Sequence, residues 1–396
     1  MSNSERPAMT LNLDAAQVRA TLEPLERASM LPPAAFTDPA VFDWELDNVF
    51  SGWVCVGHAS AIAETGRFMM REIGPSSVVV IGGEDGRPRA FLNVCRHRGA
   101  RIVTETEGSV RRRLQCSYHA WSYALDGELR AAPHMDGVED FEPSCYGLVP
   151  VRLAVAGGLA FVDLGGEAPE VADHVGELAA HLDRYRLGSL ARAGERRYAV
   201  DANWKAIAEN YNECLHCPGV HPELNELSHY MGGEEVVGAG AWCGGSMTLR
   251  EDAKTMGTGD GHASSRPPIS GLEAADLDSV LYFALFPNAL VSLHPDYVML
   301  HTLWPRAAER TEVVCEWYFE PETIAADGFD PSDAIEFWDQ VNREDWHVCE
   351  LTQKGVRTRG YTPGRYSAEE VDVHAFDVMV AERYIEALRE PAGVGL

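Results

Sequence analysis

The sequence is poor in positive charge. Its 396 residues include 33 lysines and arginines against 61 aspartates and glutamates, which gives a formal net charge of −28. A protein surface with this deficit repels phosphate groups, so binding to DNA, RNA or an anionic membrane is disfavoured. We therefore expect neither a nucleic acid nor a membrane among its partners.

Long hydrophobic segments are also missing. No apolar run reaches the roughly 18 residues of a membrane-spanning helix, and the first 14 residues are polar, without a hydrophobic signal segment. Nine cysteines, an odd number spread over a long chain, do not indicate a secreted disulfide framework. These absences predict a cytoplasmic globular protein.

The pattern of the sequence changes twice along the chain. Residues 1–50 combine a polar arm with helical patterns, and short β-type runs with an Asp126-Gly127 hairpin turn predominate in residues 51–165. Residues 166–396 mix helical and strand-like segments, with a long loop at 252–272. Helical spacing of apolar residues predicts helices at 14–29, 39–50, 171–185, 203–215, 332–354 and 371–388. The order predicts an α+β protein with an inserted all-β domain at 51–165, between the N-terminal segment 1–50 and a mixed domain at 166–396.

Two cysteine–histidine pairs lie within the β-rich region. Cys95 is followed by His97, and after 18 intervening residues Cys116 is followed by His119. Four such ligands suit a zinc ion. They suit equally a two-iron, two-sulfur cluster with the thiolates on one iron and the imidazoles on the other. Two unrelated pairs of core residues are the alternative, but the paired spacing favours a metal centre.

A second group of metal ligands is predicted in the C-terminal half. His216 follows the helical pattern 203–215, and His221 lies five residues on, about 140° from the same face of a straight helix. Pro218 and Gly219 are expected to end the helix between them, so that a bend can bring both imidazoles to one point. Two unrelated, partly exposed histidines are the alternative.

The helical pattern at 332–354 contains a third candidate ligand. Its apolar stripe consists of Ala334, Phe337, Trp338, Val341, Val348 and Thr352. Asp345 lies in the centre of this stripe, whereas Glu344 lies nearer its edge, and an unpaired carboxylate at a buried position is costly. Asp345 therefore either binds a metal or pairs with a buried arginine. With His216 and His221 it would complete the two-histidine, one-carboxylate triad of non-haem iron(II) oxygenases.

Both groups of ligands resemble those of one protein family. The two Cys–His pairs, with Ala120 and Trp121 after the second, resemble the Rieske iron–sulfur motif, although Ser117 and Ala120 stand where the motif usually has proline and glycine. The second group is similar to the catalytic subunit of Rieske non-haem iron oxygenases, and most of all to the glycine betaine, carnitine and choline monooxygenases. This similarity spans roughly residues 40–385 and rests on Asn203-Trp204-Lys205, Glu209-Asn210, Glu213-x-x-His216, His221, Asp345, Glu350 and Gln353-x-Gly355.

The resemblance implies a fold, a set of cofactors and an assembly. The Rieske domain would precede a catalytic domain whose curved antiparallel sheet is surrounded by helices, as in helix-grip, START-like folds, with the N-terminal helices packed on it. The cofactors would be a [2Fe–2S] cluster and mononuclear Fe(II), bound respectively by Cys95, His97, Cys116 and His119 and by His216, His221 and Asp345. The catalytic residues would include Glu213 and Asn210. The assembly would be a head-to-tail homotrimer in which Glu213 bridges His216 and the His119 of the next subunit. Many family members have Asp at that position, and Glu213 resembles the subgroup that acts on quaternary ammonium compounds.

The same resemblance implies an activity and a partner. The protein would be the oxygenase component of a multicomponent system that uses O2 and electrons from a separate flavin- and iron–sulfur-containing NAD(P)H reductase. It would hydroxylate or oxidatively N-demethylate a small substrate, and the motif favours a quaternary ammonium compound. Aromatic residues available to hold a trimethylammonium group by cation–π attraction are Tyr230, Trp242, Phe283, Tyr297 and Trp304.

Other interpretations stay open at this point. The α subunit of an aromatic ring-hydroxylating dioxygenase would use similar aromatic residues to stack a ring. A Rieske electron carrier or a zinc-binding module would have no use for the second group of ligands. Cys214 and Cys217 flank His216 without the βαβ context of a thioredoxin-like pair. The other five cysteines outside the cluster motif are predicted to be core thiols: Cys55, Cys145, Cys243, Cys315 and Cys349.

Overall fold

The structure, a computed structural model, describes residues 11–258 and 266–389. It falls into two units, one formed by Phe50–Ala172 and the other by the segments before and after it. Two predicted segments fall outside the described residues. They are residues 1–10 of the polar N-terminal arm and residues 259–265 in the centre of the long loop. No helix within the described ranges is long and apolar enough to span a membrane.

The unit formed by Phe50–Ala172 is built from ten strands. Numbered along the chain, they are β1 Trp53–His58, β2 Arg67–Ile73, β3 Ser76–Gly82, β4 Pro88–Leu92, β5 Glu107–Ser109, β6 Arg113–Gln115, β7 Ser122–Ala124, β8 Leu129–Ala131, β9 Pro150–Ala156 and β10 Leu159–Asp163. Seven of them form an antiparallel sheet in the order β1-β10-β9-β4-β3-β2-β5, and the other three form a small sheet in the order β6-β7-β8. The predicted hairpin is confirmed, because Gly127 joins β7 to β8 at a φ of +88° that favours glycine.

The second unit combines helices with one six-stranded sheet. Its strands are β11 Ala191–Val200, β12 Trp242–Thr248, β13 Ser279–Leu285, β14 Ala289–Leu293, β15 Val298–Ala307 and β16 Arg310–Phe319. They are antiparallel, in the order β11-β16-β15-β14-β13-β12. The helices are α1 Ala15–Thr21, α2 Ala34–Thr37, α3 Pro39–Asn48, α4 Val171–Val175, α5 Leu178–Arg184, α6 Trp204–Tyr211, α7 Cys217–Val220, α8 Pro222–Leu227, α9 Pro321–Ile324, α10 Ser332–Val356 and α11 Val371–Arg389. This all-β unit and α+β unit confirm the predicted fold class.

Two of the predicted helices are broken by residues that disfavour helix. The helix expected at 14–29 ends at Thr21, because Pro24 lacks the N–H that a continuing helix would need. The helix expected at 171–185 divides into α4 and α5 at Gly176, whose φ is +53°. Neither break falls at His216, His221 or Asp345, the predicted metal ligands.

A buried ion pair attaches the N-terminal helices to α6. Lys205 Nζ on α6 lies 2.5 Å from Glu45 Oε1 on α3, and both side chains are almost completely buried. Glu45 also accepts hydrogen bonds from Trp204 Nε1 at 2.9 Å and from the hydroxyl of Tyr384 on α11. A buried carboxylate with three donors is fully paired, so this contact fixes the orientation of α6.

Candidate metal centres and the adjoining cavity

The turns between three short helices place both histidines. The predicted helix 203–215 is shorter than expected, because α6 ends at Tyr211. Pro218, expected to end that helix, lies instead in the first turn of α7, where its missing N–H needs no partner. His216 directly precedes α7, and His221 lies between α7 and α8. The bend that turns both imidazoles inwards is therefore made by the ends of α6, α7 and α8.

The structure brings His216, His221 and Asp345 together. Asp345 Oδ1, on α10, lies 2.8 Å from His221 Nε2 and 3.2 Å from His216 Nε2. All three candidate ligand atoms lie within 4.8 Å of one another. Ligands that each lie about 2.1 Å from one metal ion have this spacing. The hydrogen-bond partners of Asp345 are the two histidines, not the buried arginine considered as the alternative.

A second carboxylate holds the other nitrogen of each imidazole. Glu213 Oε1 lies 2.5 Å from His216 Nδ1, and Glu344 Oε2 lies 2.7 Å from His221 Nδ1. A carboxylate accepts the Nδ1 proton and so leaves Nε2 with the lone pair that a metal needs. This role of Glu344 was not predicted from the sequence. The available signal was its position next to Asp345, at the edge of the buried stripe.

The carboxylates also determine the charge of the histidines when no metal is bound. Burial lowers the pKa of His216, but hydrogen bonds to Asp345 and Glu213 outweigh it and raise the pKa to about 9. The pKa of His221 is raised in the same way, against burial, chiefly by Asp345. Burial acts to raise the pKa of Asp345, but the two histidines hold it below its ordinary value. The site therefore favours an ionised carboxylate, as a metal centre requires.

The predicted stripe on α10 is largely correct. Ala334, Phe337 and Val341 are buried, and Trp338 and Val348 are half-buried. Thr352 is exposed, which corrects the prediction for the last position of the stripe. Towards the C-terminal end of α10 the buried positions are instead Cys349, Gln353 and Val356, because a seven-residue repeat drifts around a helix with 3.6 residues per turn.

A cavity of about 80 Å³ adjoins the three ligands. Asn210 lines it, and its Nδ2 lies 3.4 Å from His216 Nε2. The other lining residues are the three candidate ligands, the polar Glu213 and Ser292, and aromatic, sulfur-containing or aliphatic side chains: Tyr211, Glu213, Cys214, His216, Cys217, His221, Leu224, Met247, Met256, Val280, Tyr282, Ser292, Trp338, Val341 and Asp345. The ligands thus face a chamber whose walls are mainly apolar, with a small number of polar groups at defined positions.

The aromatic residues predicted to hold a substrate are not those of the cavity. Tyr230 is 43% exposed, and the other four are buried without lining the chamber: Trp242, Phe283, Tyr297 and Trp304. The chamber is lined instead by Tyr211, Tyr282 and Trp338. Successive residues of a strand face opposite sides of the sheet, so Phe283 faces away from the side on which Tyr282 lies.

The four predicted cluster ligands lie on two loops of the β unit. Cys95 follows β4 and Cys116 follows β6, and both sulfurs are buried in one apolar core. The rings of His97 and His119 have centroids 4.6 Å apart, and His97 is exposed. Two buried thiolates and two imidazoles nearer the solvent fit a [2Fe–2S] cluster, with the imidazoles on the outer iron.

Neighbouring residues support both loops. Tyr123 Oη lies 3.4 Å from Cys95 Sγ and accepts a hydrogen bond from the Arg96 N–H at 2.9 Å. The ring of Trp121 stacks on that of His97 with centroids 4.8 Å apart. Ala120 has a φ of +58°, the left-handed conformation for which glycine is favoured. This explains why the Rieske motif usually has glycine where this sequence has Ala120.

The remaining cysteines differ from the prediction at two places. Cys214 and Cys217 form a disulfide that brackets His216, because the turn into α7 brings their Cα atoms to 5.0 Å. Cys145 is exposed and is therefore not a core thiol, whereas Cys55, Cys243, Cys315 and Cys349 are buried as predicted.

Both units match known protein families. Residues 187–386 match the ring hydroxylating alpha subunit (catalytic domain), and residues 52–142 match the Rieske [2Fe-2S] domain. The catalytic-domain match excludes the Rieske electron carrier and the zinc-binding module as interpretations of the whole chain. Together, the Rieske-domain match and the catalytic-domain match bear out the prediction of a cluster and a mononuclear iron as cofactors.

Related proteins match this chain over most of its length and most of theirs. The chain is 31% identical to the glycine betaine monooxygenase oxygenase subunit of Chromohalobacter salexigens, over 85% of this chain and 81% of that protein. It is 30% identical to the carnitine monooxygenase oxygenase subunit of Escherichia coli strain K12, over 87% of this chain and 89% of that protein. The solved structure of the quaternary ammonium Rieske monooxygenase CntA in complex with an inhibitor matches with a TM-score of 0.80 at 25% identity. That match covers 94% of this chain and 99% of CntA.

Proposed function

Because the chain belongs to the family of ring-hydroxylating alpha subunits with a Rieske [2Fe–2S] domain, we propose that it is the oxygenase component of a monooxygenase for a quaternary ammonium compound. The observation that carries the proposal is the trio His216, His221 and Asp345 at the wall of an aromatic-lined chamber. In this proposal residues 51–165 accept electrons, and residues 166–396, with the N-terminal helices, form the catalytic domain.

The residues present fit both metal groups. Cys95, His97, Cys116 and His119 would hold the cluster, and His216, His221 and Asp345 would hold the mononuclear iron. When bound, the cluster supplies electrons one at a time and the iron is the centre at which O2 reacts with the substrate. Two neutral imidazoles and one carboxylate leave coordination positions open for that purpose.

The protein's own side chains prepare this centre. Glu213 and Glu344 hold the two imidazoles by their Nδ1 atoms, so that Nε2 of each ring faces Asp345. Leu224 and Val341 are among the apolar walls of the chamber, and apolar walls disfavour water beside the ligands. Exclusion of water strengthens the electrostatic interactions inside and protects the reaction from side paths.

The chamber suits a cation with apolar methyl groups. Tyr211 and Tyr282 present ring planes at 85° with centroids 6.2 Å apart, and Trp338 lies on the same chamber. Aromatic faces attract a quaternary ammonium group by cation–π interaction. The related subunits act on glycine betaine and carnitine by name, which supports the same class of substrate for this chain.

Electrons would reach the iron through a neighbouring subunit. We assign Glu213 the bridging role, since its Oε1 already accepts the Nδ1 proton of His216 and its Oε2, which accepts the Leu215 N–H, keeps a second lone pair for the His119 of the partner subunit. The bridge requires a ring, for which we propose a head-to-tail homotrimer. The electron donor would be a separate reductase with flavin and an iron–sulfur centre, oxidising NAD(P)H.

A product assay tests this function. The holoprotein is incubated with NADH, a Rieske-type reductase and single candidate substrates, and products and formaldehyde are measured by mass spectrometry. We expect oxidation of at least one quaternary amine and none of naphthalene or benzoate. Oxidation of an aromatic ring, with no quaternary amine oxidised, would contradict the proposal in favour of a ring-hydroxylating dioxygenase.

A further inference from the structure

The chamber beside the candidate metal ligands contains two carboxylates, of Glu213 and Asp345, and no lysine or arginine within the described ranges. Its two histidines, His216 and His221, would be neutral as metal ligands and so would bring no positive charge of their own. Glycine betaine and carnitine each carry a carboxylate as well as a trimethylammonium group. A carboxylate buried without a cation or several donors is strongly disfavoured. The chamber therefore offers a betaine tail no partner of opposite charge.

Basic residues in the surrounding segments do not supply the missing positive charge. Arg266 is buried, and its guanidinium pairs with Asp296 Oδ2 at 3.0 Å and with Asp333. Arg250 donates to the Asn225 carbonyl at 3.0 Å. Lys254 is exposed and does not line the chamber. Residues 259–265, Gly-Asp-Gly-His-Ala-Ser-Ser, contain no lysine or arginine.

A metal held by these ligands would not leave a net positive charge in the chamber. A divalent ion held by His216, His221 and Asp345, beside Glu213, brings two positive charges. The two carboxylates match them. A substrate carboxylate would therefore find no net positive charge at the metal end of the chamber.

Two neutral donors of the chamber are already engaged by groups that do not line it. The Tyr282 hydroxyl donates to Asp372 Oδ2 at 3.4 Å, and Trp338 Nε1 donates to the Tyr297 hydroxyl at 2.7 Å. A carboxylate normally needs several hydrogen-bond donors when it is buried. These two side chains therefore offer a ligand their aromatic faces and not their protons.

One hydroxyl pair can bind a neutral polar group. Tyr211 Oη and Ser292 Oγ lie 2.8 Å apart, so one of their two protons joins the oxygens and the other can be donated to a ligand. Their oxygens can also accept. A ligand hydroxyl, which both donates and accepts, matches this pair.

From these contacts we infer that the substrate is a quaternary ammonium compound with an uncharged, hydroxyl-type tail, and that compounds with a tail carboxylate are discriminated against. The cationic head lies against Tyr211, Tyr282 and Trp338, and the tail bonds to the Tyr211–Ser292 pair. The inference rests on the proposed function and specifies the substrate class of the same chamber.

Binding to the holoprotein tests the inference without requiring turnover. Calorimetry compares choline, glycine betaine and the methyl ester of glycine betaine, which differs from betaine chiefly by the missing charge. We expect choline and the ester to bind roughly 10- to 100-fold more tightly than glycine betaine. Equal or tighter binding of glycine betaine would overturn the inference and leave the proposed function intact. If no quaternary amine binds or is oxidised, the proposed function itself fails.

Two variants locate the discrimination in the chamber. Ser292→Ala should weaken binding of choline several-fold and leave ethyltrimethylammonium, which lacks the hydroxyl, unchanged. Met247→Lys places an ammonium on the chamber wall and should improve betaine binding relative to its ester, with Met247→Leu as the matched control. Equal losses for choline and ethyltrimethylammonium in Ser292→Ala would contradict the assigned tail site, whether or not the lysine variant folds.

Discussion

Glu344 Oε2 lies 2.7 Å from Nδ1 of His221, on the opposite edge of the ring from the nitrogen that faces Asp345. Consecutive carboxylates on α10 thus contact the two nitrogens of one imidazole. One of them serves as a candidate ligand and the other sets the tautomer. This relationship makes the chemistry of the site depend on a residue that would not itself touch the metal.

The first prediction concerns Glu344→Gln. The amide cannot accept the Nδ1 proton as strongly, so the fraction of His221 with its lone pair on Nε2 should fall, and affinity for Fe(II) should fall about 10- to 100-fold. Competition with a coloured chelator measures this affinity. Glu336→Gln, the same change at an exposed position of α10, is the control and should bind iron as the wild type does. Unchanged affinity in Glu344→Gln would show that this contact is incidental.

The second prediction concerns Glu213→Gln. Both metal centres should remain bound, because Glu213 is not among the proposed ligands, and the reductase should still reduce the cluster. Electron transfer from the cluster to the mononuclear iron should slow by about 10- to 100-fold or more, since the carboxylate charge that stabilises His216 is lost. Single-turnover oxidation of the pre-reduced protein in the presence of O2 and substrate measures this step. A wild-type rate with both metals present would remove Glu213 from the electron path.

The sequence was informative where chemistry depends on residue type and spacing. Two Cys–His pairs, two histidines and an aspartate on an apolar stripe were sufficient to predict which candidate ligands the structure brings close together. The chamber was not predictable in the same way, because its lining depends on which face each strand presents. Tyr282 pairs with Gly245 on one side and Ser292 on the other. A shift of one residue in the strand register would replace Tyr282 on this face by Phe283, the residue predicted from the sequence to hold the substrate.

Long-range contacts were equally hidden from the sequence. Glu344 acquires its role only because His221, more than 120 residues earlier, folds against α10. Likewise, Glu45 and Lys205 are 160 residues apart, and nothing in either local pattern indicates their pairing. Helix ends were also uncertain, because a proline in the first turn of a new helix has the same sequence signature as one that ends the preceding helix.

The third prediction concerns the stability of the second unit. Lys205→Met should leave Glu45 buried without its cation and lower the free energy of unfolding by about 3–5 kcal/mol. Adding Glu45→Gln to this variant should restore part of the loss, since no unpaired charge then remains. Arg343→Met, which breaks the exposed pair with Asp339, is the matched control and should cost less than about 1 kcal/mol. Denaturant titration monitored by circular dichroism measures all three, and equal losses for the buried and exposed pairs would contradict the account.

The fourth prediction concerns pH. Burial raises the pKa of Asp377 to about 7, although the Tyr366 hydroxyl, which donates at 2.7 Å, and Lys205 act in the opposite direction. The folded protein therefore retains this proton to a higher pH than the unfolded chain. The resulting contribution to stability is present in full below about pH 4 and is lost as the pH rises from about 4 to 7.

Asp377→Asn keeps an acceptor for Tyr366 and removes the titration. The difference in unfolding free energy between variant and wild type should thus shift in favour of the variant by on the order of 1–3 kcal/mol between pH 4 and pH 8. Denaturant titrations at several pH values measure it. A difference that does not change with pH would show that Asp377 titrates normally.

The measurement that tests the central claim most directly is the metal content of Asp345→Ala. In the wild type we expect about three irons and two acid-labile sulfides per chain, from one [2Fe–2S] cluster and one mononuclear site. Asp345→Ala should retain the sulfides and the visible spectrum of the cluster, lose about one iron per chain and form no product. Three irons per chain with product formed at the wild-type rate would contradict the claim that His216, His221 and Asp345 hold the catalytic iron.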